Sequence, residues 1–261
     1  MNRVYLGESC ESMPEVPDNT IQTVITSPPY YDLKDYGHEN QIGTGDSSYE
    51  EYLSRLKKVL QECYLKLKSD GTMWIVVDSQ INGQGGMLLL PNDISDISED
   101  IGFRHLDTIV WYKPTSLGGM NPKLLANKKE YVLFLSKTEV PKYHRDIRLE
   151  NDVEDPAISE GKELGNIWRF PVKRGSIGGN NLHKAPFPIP LIKRMLRLTS
   201  DEGDDVLDPF LGSGSTACAA LQLRRRVWGY ELNPEFKPII EDRLSDISGE
   251  NLKISVNPNL H

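Results

Sequence analysis

Near its C-terminal end the chain reads strand, glycine loop, helix, strand. Asp205 to Leu207 is followed by Asp208-Pro209-Phe210-Leu211-Gly212-Ser213-Gly214-Ser215-Thr216, an apolar helix from Ser215 to Leu223, and a second strand from Val227 to Tyr230. A helix between two short apolar strands joins them in parallel by a crossover over one sheet face. Parallel sheets are covered on both faces, so this unit alone restricts the chain to an α/β fold. The loop also has chemical meaning in this context. Gly212 and Gly214 let backbone approach a ligand closely and accept positive φ. The opening turn of the helix offers N–H groups to an anion. Glu231, at the end of the second strand, can take hydrogen bonds from ribose hydroxyls. The frame is not the GxGxxG of a nicotinamide site, because Ala217 stands three residues beyond Gly214.

The same alternation extends upstream. Val4 to Gly7, Ile21 to Ile25, Met73 to Val77, Thr108 to Tyr112 and Tyr131 to Ser136 are short apolar runs that predict strands. With the two strands above, they make a mostly parallel seven-stranded sheet. Tyr49 to Lys68 carries Leu53, Leu56, Val59, Leu60, Cys63 and Leu67 at helical spacing and predicts an amphipathic helix stopped at Asp70-Gly71. Further helices are expected at Asp93–Ile101, ending at Gly102, at Ile189–Leu198 and at Pro234–Leu244. Residues 137–182 lose periodicity and read as a loop-rich insertion between a first half, 1–136, and a second half, 183–247, of one domain. Residues 248–261 read as a polar tail that adds little.

Composition narrows the partners. The 261 residues carry a net charge of -8, which by itself argues against a polyanion ligand. The charge is uneven: Lys113 to Arg197 holds 16 Lys and Arg against 9 Asp and Glu, leaving the rest of the chain strongly acidic. That basic segment is where a nucleic acid would dock. Cys10, Cys63 and Cys218 form no CxxC pair, which predicts neither disulfides nor a metal site, and fits a reducing cytoplasm. No apolar run spans a bilayer, and no basic segment followed by an apolar stretch opens the chain, so neither a membrane nor a secretory route is expected.

The second motif is Thr26-Ser27-Pro28-Pro29-Tyr30, directly after a predicted strand. Two prolines fix φ and stiffen the loop, and each restricts the residue before it to extended geometry. Such a loop can hold an exocyclic amine between the Ser27 hydroxyl and the Pro28 carbonyl, with Tyr30 stacked on the base. An exocyclic amine is a poor nucleophile while its lone pair is delocalised into the ring. Two acceptors on its N–H bonds allow the nitrogen to rehybridise. A cysteine nucleophile acting at cytosine C5 would need a Pro-Cys dipeptide, and there is none.

Taken together and in this order, the two motifs resemble those of the circularly permuted (beta-class) DNA amino-methyltransferases, in which the catalytic TSPPY-type motif precedes the cofactor motif. The resemblance spans nearly the whole chain. It implies a Rossmann-like methyltransferase fold, S-adenosyl-L-methionine as cofactor, and double-stranded DNA as substrate, with the target base flipped out of the duplex. It makes Ser27, Pro28, Pro29 and Tyr30 the catalytic set. Asp208, Pro209, Phe210, Gly212, Ser213, Gly214, Thr216 and Glu231 become cofactor contacts, with Phe187 of His183-Lys184-Ala185-Pro186-Phe187-Pro188 beside the cofactor. Glu8 and Ser9 stand on the adenine side, with Glu8 where the family more often has Asp. Tyr31, Tyr36, Lys173 and Arg174 are the candidate DNA contacts, and 137–182 the target-recognition region. Ser before Pro-Pro-Tyr is commoner in cytosine-N4 enzymes and Asp in adenine-N6 enzymes, so cytosine N4 is the expected target. Adenine N6 is the alternative, followed by a catalytically silent DNA-binding subunit. The family also implies a prokaryotic, DNA-associated setting and admits a cognate restriction endonuclease and a second copy of the chain as partners.

Overall fold

A computed structural model describes residues 2–7, 10–32, 40–81, 86–115, 125–145, 164–172, 188–248 and 252–256. In chain order the strands are β1 (Asn2–Leu6), β2 (Ile21–Thr26), β3 (Leu67–Val77), β4 (Gln80–Ile81), β5 (Met87–Leu88), β6 (Arg104–Tyr112), β7 (Lys129–Ser136), β8 (Ile167–Arg169), β9 (Asp205–Asp208), β10 (Arg226–Glu231) and β11 (Leu252–Val256). Among the described residues the α-helices are α1 (Tyr49–Lys66), α2 (Leu90–Ile101), α3 (Ile189–Thr199), α4 (Ser215–Gln222) and α5 (Lys237–Ser248).

Among the described residues, nine strands form one sheet in the order β11-β1-β10-β9-β2-β3-β7-β6-β8. All neighbours are parallel except those of β7, which runs against both β3 and β6. The expected mostly parallel α/β sheet is present, with nine strands in place of seven. The inner seven are the seven read from apolar runs, and the two additions lie at the edges. β8 is three residues long and sits in the stretch taken for a loop-rich insertion, where it brings Trp168 and Phe170 into the core. β11 comes from the stretch taken for a tail and pairs along the whole of β1. An edge strand has one free side and needs no continuous apolar run, so neither carries the pattern that marks the inner seven.

Packing is set by the period-2 alternation of the central strands. In β3, Trp74 and Val76 face one core with α3, α4 and α5, while Met73, Ile75 and Val77 face a second core with α1 and α2. Trp74 stacks on Phe134 of the neighbouring β7 at 3.9 Å and donates its indole N–H to Thr199 Oγ1 at 3.0 Å. α1 starts where Ser48 Oγ accepts the Glu51 N–H at 3.2 Å. α2 stops at Gly102, whose φ of 118 closes its last turn as expected. α1 ends earlier than its periodicity predicts, at Lys66, and β3 runs straight through Asp70-Gly71. Those residues form a bulge: the register of β3 on β2 jumps from Leu67 opposite Ile21 to Thr72 opposite Thr23. No helix among the described residues is long and apolar enough to cross a membrane.

Candidate active site

The sheet order contains one reversal that locates a ligand site. From β9 the chain passes through α4 to β10 on one side, whereas from β2 it passes through α1 to β3 on the other. In an open α/β sheet, the crevice beyond the carboxyl ends of two such strands is where ligands bind. Both sequence motifs leave the sheet at this point. Ser27 follows β2, and Asp208 closes β9.

On the β9 side, Gly212 and Gly214 adopt φ of 54 and 80, the left-handed region that a side chain with a Cβ seldom enters. The loop they allow turns back onto Glu231 at the end of β10. Glu231 Oε2 accepts the Gly212 N–H at 2.8 Å, and Oε1 accepts the Asn233 N–H at 2.9 Å. A carboxylate has about four acceptor sites, so Glu231 can hold the loop and accept a sugar diol together. Arg243 of α5 donates to Ser213 Oγ at 3.0 Å and Ser215 Oγ at 2.7 Å, bracing the loop from behind. Thr216 is buried in the first turn of α4. Asp208 is buried, and its Oδ1 accepts the Phe210 N–H at 3.0 Å and the Thr26 hydroxyl at 2.8 Å. Burial pushes its carboxyl up to about 6, against these hydrogen bonds and the nearby Thr216 hydroxyl, which favour the charged form. An acid at the strand end, left-handed glycines and a helix start fit a nucleoside-bearing cofactor with a charged tail.

On the β2 side, Pro28 is buried and Ser27 partly exposed. Among the described residues, neither the Ser27 hydroxyl nor the Pro28 carbonyl has a hydrogen-bond partner, so both remain as acceptors. The loop is tied from below by the Tyr52 hydroxyl, which donates to the Pro29 carbonyl at 2.9 Å. It is covered by Gly43, where a Cβ would lie 2.5 Å from the Tyr30 carbonyl oxygen. Arg55 fastens that covering segment, reaching the Asn40 and Gln41 carbonyls, Asp46 and Glu11. The Tyr30 hydroxyl accepts the Asp78 N–H at 2.8 Å. Burial, then the charges of Glu130 and Asp78, push the Tyr30 phenol well above its ordinary range, so it stays neutral.

Asp78 is the hub of a group that sequence reasoning missed. It closes β3, is buried, and its carboxylate contacts both Lys129 and Asn127. Next to it, Glu130 pairs with Lys113 at 2.7 Å; burial raises the Glu130 carboxyl in spite of that lysine. Charged residues at the ends of otherwise apolar strands were the available signal, because such positions face the carboxyl edge of the sheet. Tyr31 is partly buried, its ring packed on Tyr49 and Tyr52 at 5.3 and 5.6 Å. Glu8, Ser9, Tyr36, Lys173, Arg174 and Phe187 lie outside the described residues.

Comparison with known proteins places this crevice in context. A family profile described as DNA methylase, of the N6/N4 type, matches residues 21–242. The Type II methyltransferase M.BglII of Bacillus subtilis is 29% identical, over 96% of this chain and 71% of that protein. The Type II methyltransferase M.Cfr9I of Citrobacter freundii is 28% identical, over 92% of this chain and 87% of its own length. A candidate DNA modification methylase of Thermus thermophilus, solved with S-adenosyl-L-methionine, is 28% identical with a TM-score of 0.69, covering 98% of this chain and 100% of that one. The PvuII DNA methyltransferase, cytosine-N4-specific, superposes with a TM-score of 0.74 over 100% of this chain and 89% of its own; at 20% identity this is a likeness of fold.

Proposed function

We propose that this chain, which belongs to the N6/N4 DNA methylase family and is a DNA methyltransferase with S-adenosyl-L-methionine as its cofactor, methylates the exocyclic N4 of a cytosine flipped out of duplex DNA. The single observation that carries the reading is the meeting of two different loops at one switch point. One offers, on a proline-stiffened backbone, acceptors that no described residue occupies; the other offers left-handed glycines above an acid.

Glu231 would hold the ribose diol, and the Gly212–Gly214 turn would pass under the cofactor. When bound, the cofactor supplies an electrophilic methyl group on a sulfonium. Ser27 Oγ and the Pro28 carbonyl would accept the two N–H bonds of the target amine and so turn its lone pair out of the ring plane. Tyr30 would carry the base on its ring face, in a stack worth about 1–3 kcal/mol. Because its hydroxyl is held by the Asp78 N–H, the ring is placed before the base arrives, and alignment of this kind supplies much of the rate. Ser27 is shorter than an aspartate, neutral and has one oxygen. It suits a pocket in which the Pro28 carbonyl shares the hold on a pyrimidine, and the bias of Ser-Pro-Pro-Tyr towards cytosine points the same way.

Residues 137–182 are the proposed target-recognition region, with Lys173 and Arg174 on phosphates. DNA affinity should then fall steeply with salt, and neutralising both residues should flatten the slope. The Type II designation of the relatives supports a cognate restriction endonuclease as functional partner. Transfer of a radiolabelled methyl group from the cofactor to bulk duplex DNA, in the wild type and in Ser27→Ala, tests the reading. Label in DNA with the wild type and its near-loss in the variant are expected; no label with the wild type would refute it.

A further inference from the structure

β2 and β9 lie side by side, yet their backbone ladder stops short of the site. Their last registered pair is Val24 with Leu207. The next residue after Asp208 is Pro209, which has no N–H to extend the ladder. Beyond that point the two strand ends carry the two halves of the site, Ser27 on one and the glycine loop on the other. Thr26 Oγ1 donates to Asp208 Oδ1 at 2.8 Å, with both side chains buried. The same oxygen accepts the Phe210 N–H at 3.0 Å, at the first bend of the cofactor loop. One oxygen atom therefore carries a donor from the residue before Ser27 and a donor from the loop beneath the cofactor.

We infer that Thr26 is a positioning residue, whose hydroxyl, acting through Asp208, fixes the spacing between the amine held at Ser27 and the cofactor held over Gly212–Gly214. The inference rests on the function proposed above. Displacement of reacting groups by about 1 Å can cost about 10²-fold in rate. The Tyr52 and Asp78 contacts tie the catalytic loop to α1 and to the end of β3, and so do not by themselves set its distance from the β9 half. The Thr26–Asp208 bond supplies that distance. It also makes the catalytic loop sensitive to whether the cofactor loop is occupied.

Three variants separate positioning from general structural support. Thr26→Val keeps the branched shape and loses the donor; Thr26→Ala loses the donor without crowding the strand; Thr26→Ser keeps it. Two measurements are needed: single-turnover methyl transfer at saturating cofactor and DNA, and hydrogen exchange of the Ser27, Tyr30 and Tyr31 amides with and without S-adenosyl-L-methionine. Cofactor binding should slow exchange at these amides in the wild type and Thr26→Ser, and leave it unaltered in Thr26→Val and Thr26→Ala. Transfer should fall roughly 10- to 100-fold in the two donor-less variants, with cofactor affinity by calorimetry within about threefold of wild type, and Thr26→Ser should recover most of the rate. The inference is overturned if coupled exchange survives in both donor-less variants, or if Thr26→Ser fails as fully as they do. A wild-type chain that shows the coupling but transfers no methyl to DNA would keep the inference and remove the proposed function.

Discussion

On the β9 side of the crevice the binding loop is shaped within one stretch of chain, Asp208 to Glu231, by the Asp208–Phe210 and Glu231–Gly212 hydrogen bonds, with Thr26 and Arg243 as donors from outside it. On the β2 side the Tyr30 platform is assembled from afar. Tyr30 is tied to Asp78, and Asp78 to Asn127 and Lys129, which β7 delivers by running antiparallel to β3. The local half takes its shape from its own turn, and Arg243 and Thr26 brace it. The distant half depends on three strands keeping register. The first should therefore fail by losing a ligand, and the second by losing rate and stability while the ligand still binds.

The largest expected effect belongs to Ser27, the proposed amine acceptor. Ser27→Ala should lower single-turnover transfer by about 10²-fold or more, the scale on which removal of one aligned polar contact acts. Calorimetry should show cofactor affinity unchanged. A loss of cofactor binding in that variant would blur the two halves into one. Gly212→Val attacks the other half. It forces a branched side chain into φ of 54 beneath the cofactor, so calorimetry should register at least a hundredfold weaker binding. Affinity equal to wild type would show that the loop does not approach the cofactor.

A third substitution sharpens the comparison. Tyr30→Phe keeps the stacking ring but strands the Asp78 N–H, a loss of about 1–3 kcal/mol for a buried donor. Urea unfolding should report that loss, while cofactor affinity stays level. Equal stability of the two proteins would mean that the Tyr30–Asp78 tie is not part of the platform.

These contrasts also explain what the sequence disclosed. The glycine loop and Glu231 could be proposed from the sequence because they lie within one strand–helix–strand unit. Ser27 to Tyr30 could be proposed because two adjacent prolines and an aromatic form a contiguous signature. Asp78, Asn127, Lys129, Glu130 and Lys113 were not, since only the pairing of β3, β7 and β6 brings them together. The seven inner strands announced themselves as apolar runs. β11, with Lys253 and Ser255 among its five residues, and the three-residue β8 carried no such pattern. At Asp70-Gly71 the turn signal predicts a helix stop, whereas the chain uses it as a bulge inside β3.

A further effect is electrostatic. Asp208 titrates at about 6, above its ordinary 3.8, because burial disfavours its charge. A raised carboxyl adds stability that is full below the unfolded value and lost as pH rises through the folded one. Wild type should thus carry the full cost above about pH 6. Asp208→Asn, neutral at every pH and still able to accept from Thr26 and Phe210, should be more stable at pH 7.5 by about 2–3 kcal/mol. The gain should shrink by roughly half at pH 5. Urea titrations at the two pH values check the sign; a gain that grows towards pH 5 would mean that Asp208 is stabilised, not penalised, as the anion.

Mass spectrometry of nucleosides from duplex DNA methylated by the purified chain tests the central claim most directly. N4-methylcytosine is the product expected from a short, neutral Ser27 sharing the amine with the Pro28 carbonyl. N6-methyladenine alone, or no methylated base, would contradict it.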